Sequence, residues 1–227
     1  MKTEMEINDS DLIHSVKTLR KSIGWIGILL PFVLMSGGHS FCNIDLVQIS
    51  ISHYYHTCVR DLFVGALCAV ALFLFFYKGY GKKDKWGYLD NWTGNIAGFC
   101  ALGIAFFPST GSGLCCVSGL IHGICGAAFF LLLSFDSLFL FTRTDKGPFP
   151  GSKKKNRNAI YYICGTIIFC CVALMGIFYL FFVNCCSDST LVFWAETVAL
   201  VAFGISWLIK GGGFLADKVQ LNSEAVN

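Results

Sequence analysis

Six runs of apolar sequence dominate this chain and leave few folds open to it: Ile23–Gly38, Leu62–Tyr80, Trp92–Pro108, Val117–Phe141, Ala159–Val183 and Leu191–Ile209. A helix needs about 20 mostly apolar residues to cross the hydrocarbon core of a bilayer. The runs are too long, and too rich in Leu and Phe, for membrane strands, which alternate and span about 10 residues each. The expected class is therefore all-α, a polytopic transmembrane six-helix bundle. Composition agrees. The 227 residues are 55% hydrophobic and 14% charged, where a soluble domain carries roughly 25% charged residues. With 22 Phe and a mean hydropathy of +0.64, a cytosolic globular domain, a disordered chain and a nucleic-acid-binding module are excluded.

The first run is short and holds Pro31, so the span is either kinked there or begins nearer Leu19. Residues 1–20 form a polar N-terminal segment in which Leu12, Ile13, Val16 and Leu19 share a helical face. That segment is too acidic for a signal peptide, so the first span is expected to remain as an anchor. The transmembrane domain is expected over 21–211, with a tail at 212–227.

The basic residues set the orientation. Lys2, Lys17, Arg20 and Lys21 precede the first run, and Lys78, Lys82, Lys83 and Lys85 follow the second. Arg143, Lys146, Lys153, Lys154, Lys155 and Arg157 follow the fourth, and Lys210 and Lys218 close the sixth. Sixteen of the 17 Lys and Arg thus share one side, and Arg60 alone falls on the other. Loops rich in Lys and Arg stay in the cytoplasm, which puts both termini there, most simply at the cell membrane. The formal net charge of +3 hides this separation of charge across the membrane. The Asn91-Trp92-Thr93 sequon falls on the cytoplasmic side and is expected to be unmodified. The Lys153-Lys154-Lys155-Asn156-Arg157 cluster determines topology or contacts anionic lipid.

The cysteines divide in the opposite sense. Cys42, Cys58, Cys115, Cys116, Cys185 and Cys186 lie in or beside the three outer loops, where disulfides persist. Six cysteines allow 15 full pairings. Adjacent residues such as Cys115 and Cys116 bond poorly to one another, so bridges between loops are favoured over bridges within a pair. The alternative is that all are reduced and act as small apolar residues.

Two rows of small residues promise close helix packing: Gly94, Gly98, Ala101 and Ala105 in the third run, and Gly119, Gly123 and Ala127 in the fourth. Packing within the bundle is the expected use, and a homo-oligomer interface the alternative. Trp25, Trp86, Tyr88, Trp92 and Trp194 fall near the membrane interfaces, where amphipathic rings are favoured.

Polar groups inside a bilayer are costly and so are functional candidates. His39 ends the first run; His53, His56, Arg60 and Asp61 lead into the second; His122 lies one turn into the fourth and Glu196 one turn into the sixth. Four of the five histidines therefore share the outer membrane level. If the segment is helical, His53, His56 and Arg60 form one stripe. His53, His56 and His122 with a carboxylate suit a zinc ion with one open position, which would activate a water. Without metal, His53 or His56 can serve as a general base oriented by Asp61 or Glu196, with Ser50 and Ser52 as candidate nucleophiles. The structural alternative is a set of interfacial rings and a pairing of Arg60 and Asp61 with Glu196 or a helix end. Near the opposite surface, Asp136 can pair with Lys210 or Arg143.

The stretches Gln48-Ile49-Ser50-Ile51-Ser52-His53-Tyr54-Tyr55-His56-Thr57, Arg60-Asp61-Leu62-Phe63-Val64-Gly65 and Phe203-Gly204-Ile205-Ser206-Trp207-Leu208-Ile209-Lys210-Gly211, set in a six-span layout, resemble the DRAM/Sfk-like superfamily of membrane proteins and its bacterial relatives. The resemblance implies a six-helix bundle and a lipid-related or regulatory role, and supplies no catalytic residue. Membrane hydrolases of the alkaline ceramidase and adiponectin-receptor type also gather Ser, His and Asp. This chain departs from them in having six spans rather than seven and in lacking a late HxxxH.

Three functions follow. The first is a binding or signalling membrane protein whose outer polar pocket, built from His39, His53, His56, Arg60, Asp61, His122 and Glu196, holds a lipid headgroup or small ligand. The second is a metal-assisted intramembrane lipid hydrolase. The third is an oligomeric pore, for which no helix supplies the polar stripe that a lumen requires.

Overall fold

The computed structural model describes residues 9–77, 85–109, 117–143, 152–186 and 188–212. Among them are six α-helices and no strand: α1 (Asp9–Cys42), α2 (Arg60–Phe76), α3 (Lys85–Phe106), α4 (Val117–Phe135), α5 (Ser152–Phe181) and α6 (Leu191–Lys210). A short 3-10 turn, Ile51–His56, stands between α1 and α2, and a π-helical segment, Asp136–Leu140, extends α4. Four segments are long and apolar enough to cross a membrane: His14–Cys42, Val117–Leu140, Lys153–Phe181 and Leu191–Lys210. That marks the chain as a helical membrane protein. The other two expected spans fall short for identifiable reasons. The described α2 is 17 residues long, and α3 carries Asp90, Asn91 and Asn95 in its first half.

Each helix packs on the next in chain order, and α6 closes on α1 with the most extensive contact of all. Glycine makes that closure possible. A Cβ on Gly24 would lie 2.8 Å from the Gly204 carbonyl oxygen, and one on Gly204 would lie 2.5 Å from the Gly24 carbonyl oxygen. The two backbones touch with nothing between them, the geometry that small residues allow between membrane helices. The third-run row packs as expected: Ala101 and Ala105 are buried, and Gly94 and Gly98 abut Leu74, Phe75 and Tyr77 of the α2 side. The row on α4 lines a cavity, described below.

α1 runs unbroken from Asp9 through Pro31 to Cys42. At about 1.5 Å per residue it is roughly 50 Å long, more than the hydrocarbon core needs. The boundary expected at residue 20 falls within this helix, so the polar N-terminal stretch continues the span as its first turns; the side chains of Leu12 and Ile13 lie outside the described residues. Of the expected tail 212–227, only Gly212 is described.

The bundle has two distinct ends. One carries the start of α1 and the end of α6, with Arg20 against Tyr77, Lys154 donating to the Phe141 carbonyl, and Lys210 over the Phe141 ring. This is the terminal end. The other carries the disulfide of Cys42 and Cys58, whose Cα atoms are 5.7 Å apart. This is the disulfide end. The bridge staples the last turn of α1 to the approach to α2 and so closes one loop on itself, where sequence favoured a link between loops. Chain proximity explains it: both cysteines sit at the two feet of the same connection. Cys185 and Cys186 are free and exposed. Cys115 and Cys116 lie outside the described residues.

Candidate functional site

The connection from α1 to α2 folds inward over the disulfide end. Ser50 caps the 3-10 turn, its Oγ accepting the His53 N–H at 3.2 Å. Tyr54 is fully buried, its hydroxyl donating to the Leu46 carbonyl at 3.0 Å and its ring tilted against Phe193. Two bonds from α6 hold the segment from across the bundle. Ile51 N–H donates to Glu196 Oε2 at 2.6 Å, and Phe193 N–H donates to the Ile49 carbonyl at 3.2 Å. Glu196 is thus a tether for the turn that begins at Ile51.

Beneath this lid is a cavity of about 670 Å³, within the range of small-molecule sites. Its walls are largely apolar: Leu30, Phe63, Leu67, Ile104, Phe129, Phe130, Val172, Met175 and Leu200 among others. Its polar rim comprises Ser50, Ser52, His53, Ser109, His122, Tyr179, Asn184, Ser189 and Glu196. Among the described residues, the lining includes no Lys or Arg.

The small residues of α4 account for the space. Gly119, Gly123, Gly126 and Ala127 line the cavity. A Cβ on Gly126, or on Gly176 of α5, would meet nothing within 4 Å. Farther toward the terminal end the same two helices close tightly. Ser134 Oγ donates to the Gly165 carbonyl at 2.8 Å, and a Cβ on Gly165 would strike Leu138. α4 and α5 therefore touch at one end and part at the other. Leu120 and Ile124 of α4 and Tyr179 of α5 line the cavity yet are exposed on the outer face of the bundle. The cavity consequently opens sideways between α4 and α5.

His122 sits in the cavity wall, buried, with both ring nitrogens engaged. Nδ1 lies 2.7 Å from the Phe107 carbonyl oxygen and Nε2 lies 2.9 Å from Ser52 Oγ. His53 lines the same cavity. Burial, and secondarily the neighbouring His56, holds its pKa below the ordinary histidine value, which favours the neutral ring at neutral pH.

The structure divides the seven sequence-selected residues. His53, His122 and Glu196 line the cavity. His39, His56, Arg60 and Asp61 do not line it, and all four are exposed. His39 Nδ1 is 3.1 Å from the Ile44 carbonyl, and His56 Nε2 is 2.6 Å from the Ser109 carbonyl. Arg60 donates to the Tyr55 hydroxyl at 2.7 Å and lies over that ring. The zinc set His53, His56 and His122 is not assembled. Among the described residues no group of three or more His, Cys, Asp or Glu side chains converges to hold a metal ion. The His56 ring bonds instead to a backbone carbonyl, and the His122 ring to a carbonyl and a serine. Sequence reasoning passed over Tyr179, near the end of α5, and Asn184, in the turn that follows it; both line the cavity. The choice of Ser52 over Ser50 was also hidden. The capping position of Ser50 is its one local signal.

No protein-family model matches the chain, and neither a curated protein nor a solved structure matches it.

Proposed function

We propose that the chain is a six-span membrane protein, both termini cytoplasmic, that takes a lipid or other amphiphile into the disulfide-end cavity in a regulatory role. This agrees with the lipid-related role implied by the DRAM/Sfk-like resemblance. The supporting observation is the cavity itself: apolar walls, a polar rim, and an opening between α4 and α5 at Gly126 and Gly176. An apolar groove inside a bilayer gains nothing over neighbouring lipid, because lipid tails are as apolar as the walls. Selection must come from the rim. A rim with a carboxylate, histidines, serines and an amide but, among the described residues, no cation disfavours anionic headgroups and favours an uncharged hydroxyl-bearing or cationic one. The ligand class is therefore a neutral or cationic amphiphile with one chain directed between α4 and α5.

The test is native mass spectrometry of the protein released from nanodiscs containing phosphatidylglycerol and diacylglycerol. One retained diacylglycerol per chain is expected, with loss of that species in Gly126→Phe and Gly176→Phe, whose side chains would project into the space. Retention of phosphatidylglycerol instead, or equal retention in the filled variants, would overturn the proposal. Orientation is read separately. A membrane-impermeant maleimide added to intact cells should label Cys185 and Cys186, while Lys154 should react with an impermeant amine reagent only after permeabilisation.

A further inference from the structure

Ser52 and His122 are 70 positions apart in sequence yet share a 2.9 Å hydrogen bond at the wall of the cavity. The direction of that bond is fixed by what lies on the other side of the ring. The Phe107 carbonyl, 2.7 Å from Nδ1, can only accept, so Nδ1 carries the proton. In the neutral imidazole Nε2 then holds a lone pair, and the Ser52 hydroxyl must be the donor. A serine hydroxyl is thus aimed at a basic nitrogen, and the ring is held in the required tautomer by an acceptor behind it. This is the relation of nucleophile, base and orienting group that defines an activated serine. Ser50, two residues earlier, is occupied by the cap of the turn, which leaves Ser52 alone to face the ring. Both Ser52 and His122 line the cavity, so a bound molecule can reach them.

We propose that Ser52 is a nucleophile and His122 its general base, acting on a fatty-acyl ester of uncharged or cationic headgroup held in the cavity. The proposal requires the lipid-binding role above and adds a reaction to it. Ser52 Oγ forms a bond to the ester carbonyl carbon while its proton passes to His122 Nε2. The bond from that carbon to the alcohol oxygen breaks, and the departing alcohol takes the proton from His122. Water, the co-reactant, then attacks acyl-Ser52. Its proton passes through His122 to Ser52 Oγ, and the fatty acid leaves. Glu196 is a positioning residue in this scheme, because it holds the N–H of Ile51, the residue before the nucleophile.

The experiment exposes nanodisc-embedded protein to a long-chain alkyl fluorophosphonate and maps the adduct by peptide mass spectrometry. Attack forms an Oγ–P bond, breaks P–F and releases fluoride, so the reagent reports an activated serine. Labelling is expected at Ser52 at least about 100-fold faster than at Ser50, Ser109 or Ser189 in the same molecule, the gain typical of a positioned base. It should be absent in Ser52→Ala and slowed by a similar factor in His122→Gln. The comparison among serines within the wild-type protein stands even if His122→Gln does not fold. Retained diacylglycerol without preferential labelling of Ser52 would overturn the reaction and leave the binding role standing. Absence of any retained neutral lipid would overturn the binding role and the reaction with it.

Discussion

At the disulfide end, Ser52, His122 and Glu196 border about 670 Å³ of space; at the terminal end, Asp90, Asp136 and Tyr77 are buried in the packed interior. Trp207, fully buried, meets Tyr77, Phe141 and Phe203 with centroids 5.0, 5.5 and 5.9 Å away. Tyr77 donates to Asp90 Oδ2 at 3.2 Å, and Ser137 Oγ donates to Ser206 Oγ at 3.2 Å. Asp136 is 2% exposed at the head of the π-helical segment. The two ends use similar polar side chains, and the difference lies in the room left around them. Buried in close packing, a carboxylate can only serve the bundle. Set on the wall of a cavity, it can also serve a guest. In a membrane protein a buried polar residue therefore becomes informative only together with the space beside it.

That contrast can be broken by mutation. The largest effect is expected for Trp207→Ala, which empties the centre of the aromatic cluster and should cost about 3–5 kcal/mol. Leu120→Ala, on the exposed rim of the cavity, should stay within about 0.5 kcal/mol of wild type. Thermal unfolding in detergent compares them, and equal losses would erase the distinction between a filled and an open end. Next comes Cys42→Ser. A bridge across a 16-residue separation contributes about 3 kcal/mol in the chain-entropy description. Reductant should therefore lower the melting temperature of wild type and leave the variant unchanged. A smaller effect separates two glycines. Gly204→Ala forces α6 away from α1 and should cost about 1–3 kcal/mol. Gly126→Ala meets open space and should stabilise by up to about 1 kcal/mol through helix propensity. A matching loss at Gly126 would mean that α4 and α5 are closed there.

The smallest effect is one of pH. Burial lowers the His53 pKa in the folded protein, so the unfolded chain binds the proton more readily. Stability from this group is present above the ordinary value near 6.5 and is lost as pH falls through the folded pKa. His53→Gln should flatten that part of the stability profile between pH 7 and pH 5, as followed by denaturation. An unchanged slope would place the acid sensitivity elsewhere.

Much of the fold was legible because membrane helices announce themselves in one dimension. The apolar runs at Val117–Phe141, Ala159–Val183 and Leu191–Ile209 coincide closely with helical segments of the structure. The first apolar run covers only part of α1, because polar turns such as Lys17–Ser22 carry no apolar signal although the helix runs straight through them. The candidate site was legible in part. The clustering of His53, His122 and Glu196 at one membrane level followed from their depth in the spans. Depth, however, says nothing about rotation around a helix or the path of a loop. That is why His39 and His56, at the same level, turn to backbone carbonyls. The same blindness hid the cavity that Gly119 and Gly123 line, since spacing alone does not say how much room a neighbouring helix leaves.

The bond from Ile51 to Glu196 joins positions 145 residues apart, and this separation orders events during synthesis. A chain still emerging from the ribosome has its first loop, its disulfide partners and His122 long before it has Glu196. The roof over the chamber is fastened only when the last helix arrives, so a truncated or stalled product would enter the bilayer with that roof unlatched.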